Sequence, residues 1–198
     1  MIRKLILSLI MVMLVALPSS AARLHSSLDD RISIKNRFMD FKSFAYLVAE
    51  QQRWSLIISN DVSTPNKEVK GETIKDILDN FCRESEIGWR FVDNCLYVAN
   101  ERELKTFFSQ LKQLEATFPD GIKGATYSGY FKNIDLSTLC LFLSSVSGTQ
   151  IRVANGFDAG IMMRVIEMNW KRVLLAIVHL NRYHVYVTDY SVLISPEY

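Results

Sequence analysis

Ile74 to Asn100 reads IKDILDNFCRESEIGWRFVDNCLYVAN, and 96 positions later Trp170 to Pro196 reads WKRVLLAIVHLNRYHVYVTDYSVLISP. Few residues are identical, but the apolar positions coincide. Each stretch begins with apolar residues at i, i+3, i+4 and i+7, which is typical of one face of an amphipathic helix. Apolar residues then alternate on both sides of a turn (Asp93-Asn94 and Asp189-Tyr190), as in half-buried strands. Both stretches therefore predict a helix, a strand, a tight turn and a second strand.

The first copy belongs to a longer unit with the order β-α-β-β-α-β-β. Alternation predicts a strand over Ile32 to Phe38, and Asp40 is a suitable N-cap for the helix that follows. The apolar face of this helix consists of Phe41, Phe44, Leu47 and Val48. Trp54 to Ile58 predicts a second strand. Glu68 to Gly71 predicts a third, just before the helix that begins at Ile74.

The second unit keeps this order from about Thr126 onwards. Tyr127 to Phe131 predicts its first strand, Asp135 its first N-cap, and Gly148 the glycine that ends the helix. The apolar face of that helix is assigned to Leu136, Leu139, Leu143 and Val146, with Phe142 beside them. Gln150 to Ala154 and Ile161 to Val165 then predict the strands that precede the second copy.

Between the units, Asn100 to Phe118 predicts an amphipathic helix that is closed by Pro119-Asp120-Gly121. Its apolar side contains Leu104, Phe107, Phe108, Leu111 and Leu114. Because this side must be covered, we expect both units to pack on the helix. The sequence therefore predicts an α+β protein with two tandem small βαββαββ domains, at 32–100 and 122–198, joined by a helix and turn at 101–121.

The N-terminus has the features of a signal peptide. Arg3 and Lys4 precede an uncharged apolar run from Leu5 to Leu17, and Pro18 to Ala22 supplies small residues for cleavage. An uncleaved membrane anchor is the alternative, but the run is shorter than the roughly 20 residues that a spanning helix needs. We therefore expect residues 1–22 to be removed, residues 23–31 to form a flexible leader, and the mature chain to reach the periplasm without a transmembrane segment.

The charge balance argues against nucleic acid as a partner. The chain has 23 Lys and Arg against 21 Asp and Glu. The expected signal peptide contains two of the basic residues and no acidic residue, so the mature chain is formally neutral. Proteins that bind phosphate backbones carry an excess of positive charge, and the mature chain has no such excess.

The residue types that usually carry catalysis or hold metals are few and unfavourably spaced. His179 and His184 lie five positions apart across a predicted helix end, and His25 lies in the leader, so the i, i+4 spacing of two metal ligands is missing. Cys140 lies within an apolar run, where burial would raise the pKa of its thiol rather than activate it. The sequence contains no nucleophile elbow, phosphate-binding glycine loop or dinucleotide motif. We expect no enzyme activity, no cofactor and no metal site.

The three cysteines do not define a disulfide scaffold. An odd number leaves at least one of Cys82, Cys95 and Cys140 unpaired, even in an exported protein. Strand alternation directs Cys95 away from the apolar sheet face, which disfavours a Cys82–Cys95 bridge without excluding it. Three small buried or half-buried thiols are the simpler interpretation.

Three tyrosines indicate a possible binding surface. Tyr97, Tyr186 and Tyr190 alternate away from the apolar face of their strands, so we expect them on the exposed surface of the sheets. Packing of two small cores would explain the other aromatic residues. Exposed aromatics beside open strand edges are typical of protein-binding surfaces, although the pattern assigns no individual partner-binding residue.

Phe41 to Asn100 resembles the short N-terminal periplasmic domain that secretins share with TonB-dependent receptors. The resemblance rests on Leu56-Ile-Ile-Ser-Asn-Asp-Val62, on Val69-Lys-Gly71 and on Gly88-Trp-Arg-Phe-Val-Asp-Asn-Cys-Leu-Tyr-Val98. The last stretch is most similar to the secretins of type III secretion, which usually have Asp-Gly where this chain has Asp93-Asn94. Glu101 to Leu114 also resembles the linker that leaves this domain in those secretins.

The resemblance implies a protein-interaction module of an envelope-spanning secretion or pilus machine. A tandem of two such domains departs from the usual layout of the family, and no secretin barrel follows in this sequence, so pore formation is not implied. We therefore expect an exported, non-enzymatic docking or assembly protein that binds other components of the apparatus or associates with itself. The alternatives are a TonB-linked signalling or ligand-binding module and a truncated secretin relic.

Overall fold

Helices and strands follow one another in the order that the sequence predicts. The computed structural model describes residues 27–34, 38–83, 85–118, 125–188 and 191–196. In chain order the elements are β1 (Phe38–Met39), α1 (Phe41–Gln52), β2 (Ser55–Ile58), β3 (Lys67–Glu68), α2 (Ile74–Cys82), β4 (Ile87–Val92), β5 (Cys95–Asn100), α3 (Glu101–Ala116), β6 (Thr126–Asp135), α4 (Leu136–Ser147), β7 (Gln150–Val153), β8 (Gly160–Asn169), α5 (Trp170–Leu180), β9 (Tyr183–Val187) and β10 (Ser191–Pro196). The predicted signal peptide at 1–22, His25, the linker turn Pro119-Asp120-Gly121 and the turn Asp189-Tyr190 lie outside the described residues.

The internal repeat keeps its register in three dimensions. Each element of the second copy begins 96 positions after its counterpart: α2 and α5 at Ile74 and Trp170, β4 and β9 at Ile87 and Tyr183, and β5 and β10 at Cys95 and Ser191. The turn between β4 and β5 has positive φ at Asp93 (51°) and Asn94 (58°), which is the geometry of a two-residue hairpin turn. The helix, strand and strand predicted for each stretch are confirmed.

The pairing of the strands repeats as well. In the first half β2 runs parallel to β5, and β5 runs antiparallel to β4. In the second half β7 runs parallel to β10, and β10 runs antiparallel to β9. The remaining strands of each half form an antiparallel pair, β1 with β3 and β6 with β8. Mixed sheets packed with helices in this way make an α+β fold, as predicted.

The two halves contribute to one sheet. Strand β8 pairs antiparallel with the side of β2 that β5 leaves free, with Leu56 opposite Arg164 and Ile58 opposite Met162. Five strands are thereby joined in the order β4-β5-β2-β8-β6, beside the three-stranded sheet β7-β10-β9. Two separate domains at 32–100 and 122–198 stay a prediction, because the hydrogen bonds of the larger sheet cross the expected boundary.

The β2–β5 part of the larger sheet is buried on both faces because its side chains alternate across it. Leu56 and Val98 belong to a core that contains residues of α1 and α2. Ile57 and Tyr97 point to the opposite face and belong to a second core, which contains α5. Eight of the eleven residues of α5 are buried, as expected of a helix that is apolar nearly all round.

Helix α3 packs on this second core, as predicted for the linker helix. Leu104 and Phe107 are buried, and its other apolar residues, Phe108, Leu111 and Leu114, are partly buried against the same core. Arg172 of α5 reinforces the contact, because its Nε donates to Glu115 at 3.1 Å. None of the helices in the described ranges combines the length and the apolar character that crossing a membrane requires.

The N-termini of the equivalent helices α1 and α4 are capped differently. Asp40 caps α1 as predicted, accepting from the Ser43 N–H at 2.9 Å. Asp135 lies at the N-cap of α4 but makes no side-chain cap hydrogen bond. Asp158 replaces it, accepting from the N–H of Ser137 at 3.2 Å and from its hydroxyl at 2.8 Å.

The described part of the first strand differs from the prediction. Ile32 and Ile34 lie outside any strand, and the described strand residues are Phe38–Met39. Both isoleucines still pack against the core of α1 and α2. Their alternation therefore indicated which side chains would be buried, although no partner strand pairs with this part of the described chain.

Candidate protein-interaction site

Tyr97 is a core residue, so the expectation that it lies on an exposed sheet surface is wrong. Its side chain is 1% exposed, and its ring lies edge-on to Phe108 of α3 with the centroids 5.1 Å apart. Burial raises the pKa of its hydroxyl. Alternation correctly predicts that Tyr97 points away from the first core, but α3 and α5 cover the face to which it points. Tyr97 is therefore not available to a partner.

Tyr186 lies on an exposed sheet surface, as expected. Its side chain is 58% exposed and lies opposite Leu193, which is 41% exposed. Leu193 lies opposite Arg152 on its other side, so the three residues form a row across the outer face of the sheet β7-β10-β9. Tyr190, the third tyrosine predicted to be exposed, lies outside the described residues.

The outward face of α4 is apolar and exposed. Leu141 is 68% exposed, Phe142 and Val146 are exposed beside it, and α4 carries no charged residue. The assignment of Val146 to the core face is wrong, because Leu136, Leu139 and Leu143 occupy that face. Phe142, which is expected beside this face, is exposed as well. A sequence signal for the second face was present, since the apolar residues of α4 fill more than the single stripe that a surface helix needs.

The corresponding position on α1 is covered. Tyr46 lies 95 positions before Leu141 and is 9% exposed. Tyr130 of β6 contacts its ring with the centroids 5.3 Å apart, and Lys132 Nζ lies 5.7 Å from the ring centroid. The pair β6–β8 of the second half thus covers the first half. Apolar side chains exposed together on one helix, as on α4, are typical of a protein-binding surface.

A groove of about 580 Å³ separates α3 from β9. Helix α3 contributes Thr106 and Leu114, and its C-cap residue Thr117 lies beside them. Strand β9 contributes Val185 and Val187, together with their neighbours. At one end Arg182 Nε lies 3.4 Å from Glu103 Oε1. Local sequence patterns could not reveal this groove, because they do not place α3 beside β9.

The cysteines considered for chemistry are not activated. Cys82, Cys95 and Cys140 are unpaired, so the Cys82–Cys95 bridge is not formed. Burial raises the pKa of each thiol to about 12, and a thiol of this kind is a poor nucleophile at neutral pH.

The two described histidines are not arranged as metal ligands. His179 is half-buried, its ring centroid lies 6.2 Å from that of Phe107, and burial lowers its pKa. His184 is exposed on the outer face of the smaller sheet. Within the ranges that the structure describes, no three His, Cys, Asp or Glu residues cluster in a way that could hold a metal ion.

Comparison of the chain with protein-family models, with curated proteins and with solved structures found no match. The surface of the described residues is therefore the basis for a proposed function. It offers the apolar face of α4, the row that contains Tyr186, and a groove bounded by a strand edge. Each of these features is suited to binding a segment of protein.

Proposed function

We propose that this protein is an exported, periplasmic docking or assembly protein of an envelope-spanning secretion or pilus machine, and that it acts through protein–protein contacts. The observation that carries the proposal is the exposed apolar face of α4, formed by Leu141, Phe142 and Val146. Such a face favours association, because covering it removes apolar surface from water.

Two further observations support the class of protein. Phe41 to Asn100 resembles the periplasmic domain of secretins in sequence, and both halves of the chain have the same element order and strand pairing. A module that already joins its own copy through strand pairing is suited to pairing with strands of other proteins in an assembly.

The test is affinity purification of the tagged mature chain from the cell envelope, together with deletion of its gene. We expect wild-type protein to recover components of a secretion or pilus machine, and the deletion to impair secretion or piliation. A variant with Leu141→Ser and Val146→Ser should recover less, because both substitutions remove exposed apolar contacts. The control Ile166→Ser changes an exposed isoleucine of β8, outside the three candidate surfaces, and should recover as much as wild type.

Three results would contradict the proposal. Recovery of no envelope-machine protein, with secretion and piliation unchanged in the deletion strain, would remove its basis. Recovery of an inner-membrane anti-sigma regulator would favour the TonB-linked signalling alternative. Failure of this chain to accumulate as a stable protein in the cell would favour the alternative of a truncated secretin relic.

A further inference from the structure

Three of the four strands at the edges of the two main sheets are protected against pairing with another chain. The pairing of β6 shifts register twice. On β7, the Ser144 hydroxyl accepts from the N–H of Ile151 at 2.9 Å. On β4, Arg90 Nη1 donates to the carbonyl of Trp89 at 2.9 Å. Bulges, and charged or polar side chains that satisfy edge groups, are common ways of blocking an open edge.

Strand β9 has no such protection within the described residues. The Thr188 N–H donates to Ser191 O at 2.9 Å. The alternation of an antiparallel pair then turns the backbone groups of Tyr183, Val185 and Val187 away from β10. No side chain of the described chain hydrogen-bonds to these groups, and the strand, YHVYV, contains no Lys, Arg, Asp, Glu or Pro.

Comparison with β4, the counterpart of β9 in the first half, shows which protecting residue β9 lacks. Tyr186 lies 96 positions after Arg90, at the equivalent place next to the edge. Arg90 satisfies the outward carbonyl of its neighbour Trp89, whereas a tyrosine at this position cannot donate in the same way. Within the described residues, the edge that is closed in the first half is therefore open in the second.

The open edge faces the groove. Val185 and Val187 line one side of the groove, and Leu114 of α3 and the C-cap residue Thr117 line the other. A strand that entered the groove would bond to β9 through its backbone, and alternate side chains would contact α3. The chain already uses this kind of contact, because β8 adds antiparallel to β2.

We propose that an extended segment of a partner protein, with apolar side chains at alternating positions, binds in this groove as an added strand on β9. The inference rests on the proposed function, because it supplies the site through which the docking protein would hold its partner. A second copy of the chain fits less well. Its own β9 is flanked by α3, so pairing of two β9 strands would bring two α3 helices beneath the same pair of strands. Backbone hydrogen bonds would provide affinity, and the groove wall that contains Leu114 would select the side chains.

The test uses a phage-displayed library of random 12-residue peptides, selected on the mature chain, and fluorescence anisotropy with the selected peptide. Val185→Pro removes an outward N–H and leaves the bonds to β10, and proline is tolerated at such edge positions. The matched control is Val153→Pro on β7, the opposite edge of the same sheet. The Ala154 N–H donates to Ile194 O, so the N–H of Val153 points outward as well. We expect the peptide to bind wild type and Val153→Pro alike, and Val185→Pro at least tenfold more weakly.

Equal affinity for Val185→Pro, or a selection that yields no binding peptide, overturns the proposal. If circular dichroism shows that Val185→Pro does not fold, Thr106→Trp provides the second test, because it narrows the groove from α3 and leaves the sheet unchanged. Its control is Lys112→Trp, an exposed position of α3 that does not line the groove. A tenfold loss for Thr106→Trp alone supports the site, and unchanged affinity overturns it.

The remaining measurements separate the site from the proposed function. A dimer of the mature chain in analytical ultracentrifugation, dissociated by Val185→Pro, would replace the partner with a second copy and overturn this assignment. Recovery of the same machine components by Val185→Pro and by wild type in the affinity purification overturns the site and leaves the proposed function standing. Recovery of none by wild type, with peptide binding as expected, overturns the proposed function and leaves the groove as a peptide site.

Discussion

Replacing Tyr97 by alanine tests whether the second half of the chain covers the sheet of the first. The side chain is 1% exposed. An aromatic side chain buries about 150–250 Å², which at about 25 cal/mol per Å² corresponds to about 4–6 kcal/mol. Alanine keeps one methyl group, so we expect Tyr97→Ala to lower the free energy of unfolding by about 3–5 kcal/mol. Leu193 occupies the equivalent place in the smaller sheet and is 41% exposed, so Leu193→Ala should cost about 1 kcal/mol or less.

Urea denaturation, followed by tryptophan fluorescence and by far-ultraviolet circular dichroism, measures both variants. The tryptophans report on both halves, since Trp54 and Trp89 lie in the first and Trp170 in the second. For a chain of this length the loss corresponds to a fall in Tm of about 6–20 °C. A Tyr97→Ala variant within about 0.5 kcal/mol of wild type would show that the ring is solvated. That result, or an equal cost for Leu193→Ala, would refute the packing of α3 and α5 on this sheet.

Three other features give measurable effects. Asn181→Ala should lower the free energy of unfolding by about 2–3 kcal/mol, since its Oδ1 accepts from the Asn60 N–H at 2.7 Å and links the two halves; thermal denaturation measures this. Arg53→Gly should raise the free energy of unfolding by about 0.5–1 kcal/mol, because Arg53 ends α1 with a positive φ of 56°. Gly148→Ala at the equivalent end of α4 should lower the free energy of unfolding by about 1 kcal/mol. Urea denaturation measures both variants. Burial raises the pKa of the Cys140 thiol from 9.0 to about 12. The thiol of the unfolded chain therefore loses its proton at lower pH, and the free energy of unfolding should fall as pH rises from about 9 to 12. Urea titrations at several pH values should show a shallower fall for Cys140→Ala.

Each of these effects has a control. Asn155→Ala changes an exposed asparagine and should cost no more than about 0.5 kcal/mol; an equal loss from both would contradict the role of Asn181 between the halves. If Arg53→Gly destabilised the chain, relief of the positive φ at that position would be smaller than the stabilisation lost with the arginine side chain. If Cys140→Ala left the slope of stability against pH unchanged, the thiol would be accessible to water.

The element order could be predicted because each element carries its own local signal. Apolar residues at helical spacing begin at Ile74 and again at Trp170, and Asp40 and Gly148 mark helix ends. The pairing of β2 with β8 could not be predicted in the same way. It joins strands from different halves, and a strand pattern indicates which side chains are buried without indicating which strand lies alongside.

The candidate surfaces were less predictable for the same reason. Alternation separates Tyr97 from Leu96 across the sheet, but it does not reveal that α3 and α5 cover the face of Tyr97. Helical spacing likewise allows α4 two apolar faces, and only the position of the neighbouring sheets determines that Leu141 and Phe142 remain exposed. Predicting exposure requires the tertiary arrangement, which arises from contacts between distant parts of the chain.

The two halves present the same sheet face with different chemistry. In the first half Ile57 and Tyr97 point to α3 and α5 and are buried. The equivalent positions of the second half hold Arg152 and Leu193, which lie opposite each other on an exposed face. A sheet face that carries a charged residue can stay in contact with water, so this sheet face does not require a further layer.

The two halves also differ at two other positions. At Leu141 the second half keeps an apolar side chain where Tyr46 of the first half is covered by β6. At Tyr186 it lacks the arginine that closes the edge of β4. A polar or charged residue at either position would make the surface less favourable for binding an apolar segment, as Arg152 does on the sheet face. Under the proposed function, α4 and β9 are therefore the positions of the second half, within the described residues, at which segments of other proteins would bind.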